Sequence, residues 1–168
     1  QGVTGVTPAP AVATPRPALR APAAQTVRVR IPALSVDAPI LQMGMDTAGA
    51  MEIPQSPSQV AWYGFSAAPG SPGNAVMAGH VTWGGGRAVF NQLSALRPGD
   101  VIDVRTGDSD LRYVVQRSYL VRPEEADIAA IVGLRDGPQT LTLITCGGSF
   151  DSSVREYDHR VIVFATRV

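Results

Sequence analysis

Residues 140–146 read Thr-Leu-Thr-Leu-Ile-Thr-Cys, and Gly147 and Gly148 follow directly. The run is rich in β-branched residues and alternates enough to predict a strand, which puts Cys146 at a strand end ahead of a glycine pair. The simplest use of Gly147 and Gly148 there is a sharp or left-handed turn. Cys146 is the sole cysteine of the chain, so no internal disulfide can form. Its thiol is then either a small buried residue or a nucleophile. Position alone favours the first, because unpaired cysteine is commonly a buried small hydrophobe. The second stays open, because strand ends hold reactive groups rigidly within reach of substrate.

Outward from this run the pattern repeats. Thr26 to Ile31 alternates Val27, Val29 and Ile31 with Arg28 and Arg30, the period of a half-buried strand, and Pro32 stops it. Further strands are predicted at Asn74 to Ala78, Val101 to Arg105, Leu111 to Arg117 and Arg160 to Thr166, with a weaker one at Met51 to Ile53. Two segments read as helices. Ala88 to Leu96 places Val89, Phe90, Leu93 and Leu96 at helical spacings before Pro98-Gly99, and Pro123 to Val132 opens with Pro, Glu124 and Glu125, residues suited to a helix N-terminus. Many short strands between Gly and Pro signals make the chain mostly β, a barrel or sandwich with short helices.

At 168 residues the chain is long enough for one domain with a full core. Lys plus Arg and Asp plus Glu number 14 each, so no net field attracts nucleic acid or an anionic membrane. The sequence has no phosphate loop, zinc-ligand spacing or calcium-loop repeat, and no cofactor or metal is expected. Residues 1–25 differ in composition. Pro8, Pro10, Pro15, Pro17 and Pro22, spaced by Ala, Thr and Val, favour extended polyproline-like conformers with little to bury. This segment is expected to be a flexible linker, and residues 26–168 the folded domain. No run of ~18 apolar residues, the length a membrane helix needs, occurs in the sequence.

His80 closes another apolar strand, Asn-Ala-Val-Met-Ala-Gly-His from Asn74. One cysteine and a separately placed histidine are the minimum for thiol nucleophilic catalysis. The other histidine, His159, stands among Glu156, Asp158 and Arg160 and reads as the solvated start of a strand. Thiol chemistry would use Cys146 as thiolate, with His80 taking its proton or stabilising its charge. Trp83, three residues beyond His80 and next to Gly84, Gly85 and Gly86, is a candidate mobile wall of a substrate groove. Trp62 and Tyr63 read as core residues.

These residues resemble the sortases, cysteine transpeptidases that attach proteins to the cell wall of Gram-positive bacteria. The family signature Thr-Leu-x-Thr-Cys is matched by Thr142, Leu143, Ile144, Thr145 and Cys146. The family's histidine is matched by His80, and its arginine, which precedes an apolar final strand, by Arg160 ahead of residues 161–166. The resemblance spans roughly Thr26 to Val168. Its flavour is that of the class F sortases of actinobacteria, given Ile-Pro-Ala-Leu-Ser-Val-Asp-Ala-Pro-Ile from Ile31, Ala78-Gly79-His80, Leu96-Arg97-Pro98-Gly99-Asp100 and residues 146–151.

The resemblance implies a closed eight-stranded β-barrel and a catalytic set of Cys146, His80 and Arg160, the arginine donating to an oxyanion or orienting the peptide. It also implies Thr145 at the substrate; apart from the resemblance, the missing side chains of Gly147 and Gly148 would leave room for a peptide backbone. The expected reaction cleaves a Leu-Pro-x-Thr-Gly-like sorting signal between Thr and Gly and transfers the acyl group to an amine of a peptidoglycan precursor or pilin. A monomer at the outer face of the membrane, anchored by a helix preceding Gln1, is the expected form. Two rivals stand beside this reading, a hydrolytic thiol protease and a non-catalytic cell-surface β-barrel binding module.

Overall fold

The computed structural model describes residues 27–107, 109–133 and 136–168. The linker expected at residues 1–25 lies outside them. Eight strands close a barrel: β1 (Arg28–Ile31), β2 (Val36–Met43), β3 (Val60–Tyr63), β4 (Gly73–Gly79), β7 (Val101–Thr106), β8 (Ser109–Val121), β9 (Gln139–Asp151) and β10 (Glu156–Arg167). Their order around the barrel is β1-β2-β3-β4-β9-β10-β8-β7, and β7 closes onto β1. The short strands β5 (Thr82–Trp83) and β6 (Gly86–Arg87) form a separate hairpin. Pairing is antiparallel except between β2 and β3 and between β4 and β9.

Period-two alternation fills the interior. Val29 and Ile31 from β1, Ala75 and Met77 from β4, Leu141 and Leu143 from β9, and Val161, Val163 and Ala165 from β10 are all buried in one cluster. Their neighbours in sequence face outward. On the outer face of β3, β4 and β9 a second, smaller cluster unites Ala61, Tyr63 and Val76 with Ile144, Ala78 and Val132. The connection from β8 to β9 covers it. Asn74 fastens that cover by donating from Nδ2 to the Ile131 carbonyl at 2.9 Å, while its Oδ1 accepts from the hydroxyls of Thr140 and Thr142. Both polar atoms of this buried amide thus have partners, so it is not a liability.

Several expectations change. The stretch from Ala88 to Leu96 is not a helix and holds only a 3-10 turn at Leu93–Ala95. Its early amides bond to other segments, Ala88 to Val81, Val89 to Pro57 and Phe90 to His80, and those of Asn91, Leu93 and Leu96 reach back only three residues, in turns rather than a helical ladder. Phe90, Leu93 and Leu96, three apart, instead plug the barrel core. The segment from Pro123 divides into a 3-10 turn at Pro123–Glu125 and a short α1 (Ile128–Val132), whose first turn is capped by Asp127 Oδ1 accepting from the Ala130 amide at 3.0 Å. Met51 to Ile53 forms only an isolated bridge, Met45 to Met51.

The glycine pair after Cys146 does not turn the chain. β9 runs on to Asp151, and between the pairs Gly147–His159 and Phe150–Tyr157 two residues of β9 oppose the single Asp158 of β10. This is a β-bulge with Gly148 at φ +78°, the left-handed conformation glycine supplies without a Cβ penalty. Asp158 Oδ1 accepts from the Ser149 amide and from His159 Nδ1, both at 2.7 Å. The His159 hydrogen bond first, then the Ser149 amide, holds the Asp158 carboxyl below its usual range.

Candidate active site

Three neighbouring strands bring the candidate residues together. Ala78 of β4 pairs in parallel with Ile144 of β9. Two residues further along each chain lie His80 and Cys146, so side-chain alternation directs both to the outer face of the barrel. On the other side of β9, Arg160 of β10 is the direct antiparallel partner of Cys146, which puts its side chain on that same face. The cysteine is half-buried.

Thr145, between these levels, points into the barrel. It is buried, and its hydroxyl donates to the Gly79 carbonyl at 2.7 Å, fastening β9 to β4 just before both candidate groups. Gly147 also faces inward. A Cβ there would lie 2.6 Å from Val161 Cγ2 and 3.2 Å from Leu120 Cδ2. Gly147→Ala is therefore expected to lower stability by about 1–3 kcal/mol through overpacking, read as a fall in Tm; an unchanged Tm would show that β9 and β10 relax freely at this point.

His80 is held from the side opposite β9. Its Nε2 lies 2.7 Å from the carbonyl oxygen of Pro54, and the Trp83 ring packs on it edge-on with centroids 4.9 Å apart. A carbonyl only accepts, so Nε2 carries the proton, and in the neutral ring the lone pair resides on Nδ1. Among the described residues no hydrogen bond joins the ring to Cys146. Tyr63 steadies the Pro54 segment by donating its hydroxyl to the Glu52 carbonyl at 2.8 Å, and burial, with the nearby Glu52 charge, pushes its pKa up to about 12. Trp83 stands in a tight β5–β6 hairpin, not a loose loop. Gly84 and Gly85, both at positive φ, occupy its two turn positions.

Arg160 is partly buried and anchored through one nitrogen. Its Nη1 donates to the carbonyls of Tyr157 at 3.1 Å and His159 at 3.0 Å, both beside the bulge. A guanidinium has five N–H donors, so this anchorage orients the group without exhausting it. Arg155 sits at φ +58° in the exposed turn between β9 and β10.

Behind Cys146, at the mouth of the barrel, lies a cavity of about 220 Å³. Tyr157 forms part of its wall, and the Tyr157 hydroxyl lies 3.1 Å from Thr82 Oγ1 across the site. Pro54, Thr82 and Tyr157 escaped sequence reasoning. Each meets its partner across 26 to 75 residues of chain, and no local signal marks such contacts.

Among the described residues no cluster of three or more His, Cys, Asp or Glu is arranged to hold a metal ion. The arrangement has the parts of thiol-based acyl transfer: a thiol within β9, an imidazole just past the end of neighbouring β4 and an anchored guanidinium on β10.

The sortase domain model matches residues 29–168. Sortase A from Corynebacterium diphtheriae, in a lid-mutant form, is similar at 25% identity over 90% of this chain and 74% of that one, with a TM-score of 0.66. Sortase C-1 from Actinomyces oris is similar at 26% identity over 88% of this chain and 76% of that one, TM-score 0.66. Sortase C of Streptococcus pneumoniae, at 22% identity over 86% and 69% with TM-score 0.66, shares the fold. No curated protein matches the sequence.

Proposed function

The chain belongs to the sortase family of cysteine transpeptidases, and from that premise we propose that it cleaves a Leu-Pro-x-Thr-Gly-like sorting signal between Thr and Gly and passes the acyl group to a primary amine. The alignment of His80, Cys146 and Arg160 on one face of three adjacent strands carries this reading. Sortases act on sorting signals and amine acceptors at the surface of Gram-positive bacteria, in association with the membrane.

In the proposed reaction the Cys146 thiolate attacks the Thr carbonyl carbon, forming a C–S bond and an oxyanion that Arg160 stabilises. As the C–N bond breaks, protonated His80 gives its proton to the departing Gly amine. A thioester remains on Cys146. An incoming neutral amine then attacks it, the C–N bond forms, the C–S bond breaks, and His80 takes the surplus proton from nitrogen. Arg160 alternatively orients the sorting peptide, a role its strand position serves equally.

Among the described residues no helix is long and apolar enough to cross a membrane. We assign residues 1–25 to a spacer and the working form to a monomer. The class F reading rests on the motifs at Ile31–Ile40 and 146–151, while the solved relatives above carry class A and class C names.

Mass spectrometry of the protein mixed with a sorting peptide tests the reading. A thioester adduct and, with amine present, an amide product support it; free acid alone despite abundant amine identifies a hydrolase, and no adduct favours a binding module.

Activity is also expected to be independent of metal. The segment between Tyr119 and Asp136 offers carboxylates only at Glu124, Glu125, Asp127 and Asp136, short of the dense alternating oxygen ligands of a calcium loop. Chelator should leave the rate within twofold. A several-fold loss restored by calcium would refute this.

A further inference from the structure

The cavity behind Cys146 and the face that carries its side chain are different places. The thiol, His80 and Arg160 belong to the outer face, whereas the cavity is lined by residues of inward parity: Thr145 and Gly147 of β9, Leu120 of β8 and Val161 of β10. Cys146 borders both. Gly147 is packed closely by two of the walls: a Cβ there would press on Val161 and Leu120.

Resting on the transpeptidase reading above, we infer that this cavity is the acceptor site, which delivers a slender, uncharged primary amine to the thioester while the acyl chain stays on the outer face. Three observations carry the inference. The volume, about 220 Å³, falls below the ~300–1,000 Å³ usual for compact small-molecule ligands and suits a narrow unbranched chain. No charged side chain lines it; its polar groups are those of Asn91, Ser94, Thr145 and Tyr157 beside the thiol. An amine attacks only as the free base. A carboxylate wall would hold it as ammonium, while hydroxyl and amide oxygens accept its N–H without favouring the charged form. Finally, Cys146 itself lines the cavity, and Val81, the residue after His80, forms one wall, so the cavity adjoins both strand segments that carry the reacting groups.

The Thr82–Tyr157 hydrogen bond ties two walls of this site together. Thr82 follows Val81, and Tyr157 comes from the β9–β10 hairpin, where Phe150 packs against its ring at 5.1 Å. This tie restricts access by both amine and water. Thr82→Val removes it without disturbing the ring packing, and Ser94→Phe fills the cavity from an exposed position.

The test follows thioester formation on Cys146 by intact mass and, separately, the split between amide and free acid as the concentration of glycinamide or an uncharged aminoalkyl acceptor is varied. Ser94→Phe is expected to raise the acceptor KM at least tenfold while thioester formation stays within threefold of the parent enzyme. Thr82→Val is expected to lower the acceptor KM and to speed thioester hydrolysis at least threefold when no amine is present. An unchanged acceptor KM in both variants, or equal losses in acylation and transfer, would overturn the acceptor assignment alone. Failure of the parent enzyme to form any thioester would overturn the transpeptidase reading and this inference with it.

Discussion

Cys146→Ala is expected to abolish the covalent adduct with a sorting peptide and all transfer to amine, while leaving the barrel folded. The parent enzyme should gain the mass of the acyl fragment, and hydroxylamine should remove it, as it does a thioester. The variant should show neither event. The expectation of an intact fold comes from the position of the residue. Cys146 is half-buried on the outer face, outside the cluster formed by Leu141, Leu143, Val161 and Val163, so trimming sulfur leaves the interior unchanged. The neighbouring Thr145–Gly79 bond and the Asn74 network still hold β9 against β4. A stability change within ~1 kcal/mol is expected, the ordinary range for a substitution away from core and caps. With no other thiol in the chain, no second nucleophile of this kind can take over. A fully active Cys146→Ala enzyme would sink the mechanism whatever its fold.

Much of this site was legible because strands advertise themselves. The β-branched run before Cys146, the apolar run before His80 and the apolar run after Arg160 each announced a strand, and the structure extends each by one to six residues at an end. β2 was not seen, because Pro39 lies inside it and proline ordinarily argues against a paired strand. β3 was too short to separate from an aromatic loop. Ala88 to Leu96 misled for another reason. Apolar residues three and four apart satisfy a helical template, yet here the same spacing lets Phe90, Leu93 and Leu96 cap the barrel from successive tight turns whose amides reach back three residues. The bulge at Gly148 and the contacts of His80 with Pro54 and of Tyr157 with Thr82 depend on strand register and long-range closure. One-dimensional patterning does not encode either in a readable way.

Register also separates the two arginines that follow Cys146. Arg160 is the cross-strand partner of Cys146, and neighbouring pairs of this kind share a face with Cβ atoms ~4.5–5.5 Å apart. Its Nη1 is tied to the Tyr157 and His159 carbonyls, so the guanidinium is positioned before substrate arrives and needs little reorganisation when charge develops on the attacked carbonyl. Arg155 has neither property. It lies five residues earlier, exposed at positive φ in the turn, where a side chain is free to solvate its charge. Losing a fixed donor to an oxyanion costs ~3 kcal/mol or more, about a hundredfold in rate, whereas removing a solvated surface charge costs little. Arg160→Ala is therefore expected to lower kcat/KM at least a hundredfold, and Arg155→Ala less than about threefold. One fluorogenic sorting peptide, assayed with both variants, makes the comparison. A loss confined to KM in Arg160→Ala would assign the residue to peptide orientation, while the reverse ranking would move the role to Arg155 and require the hairpin turn to fold inward over the thiol.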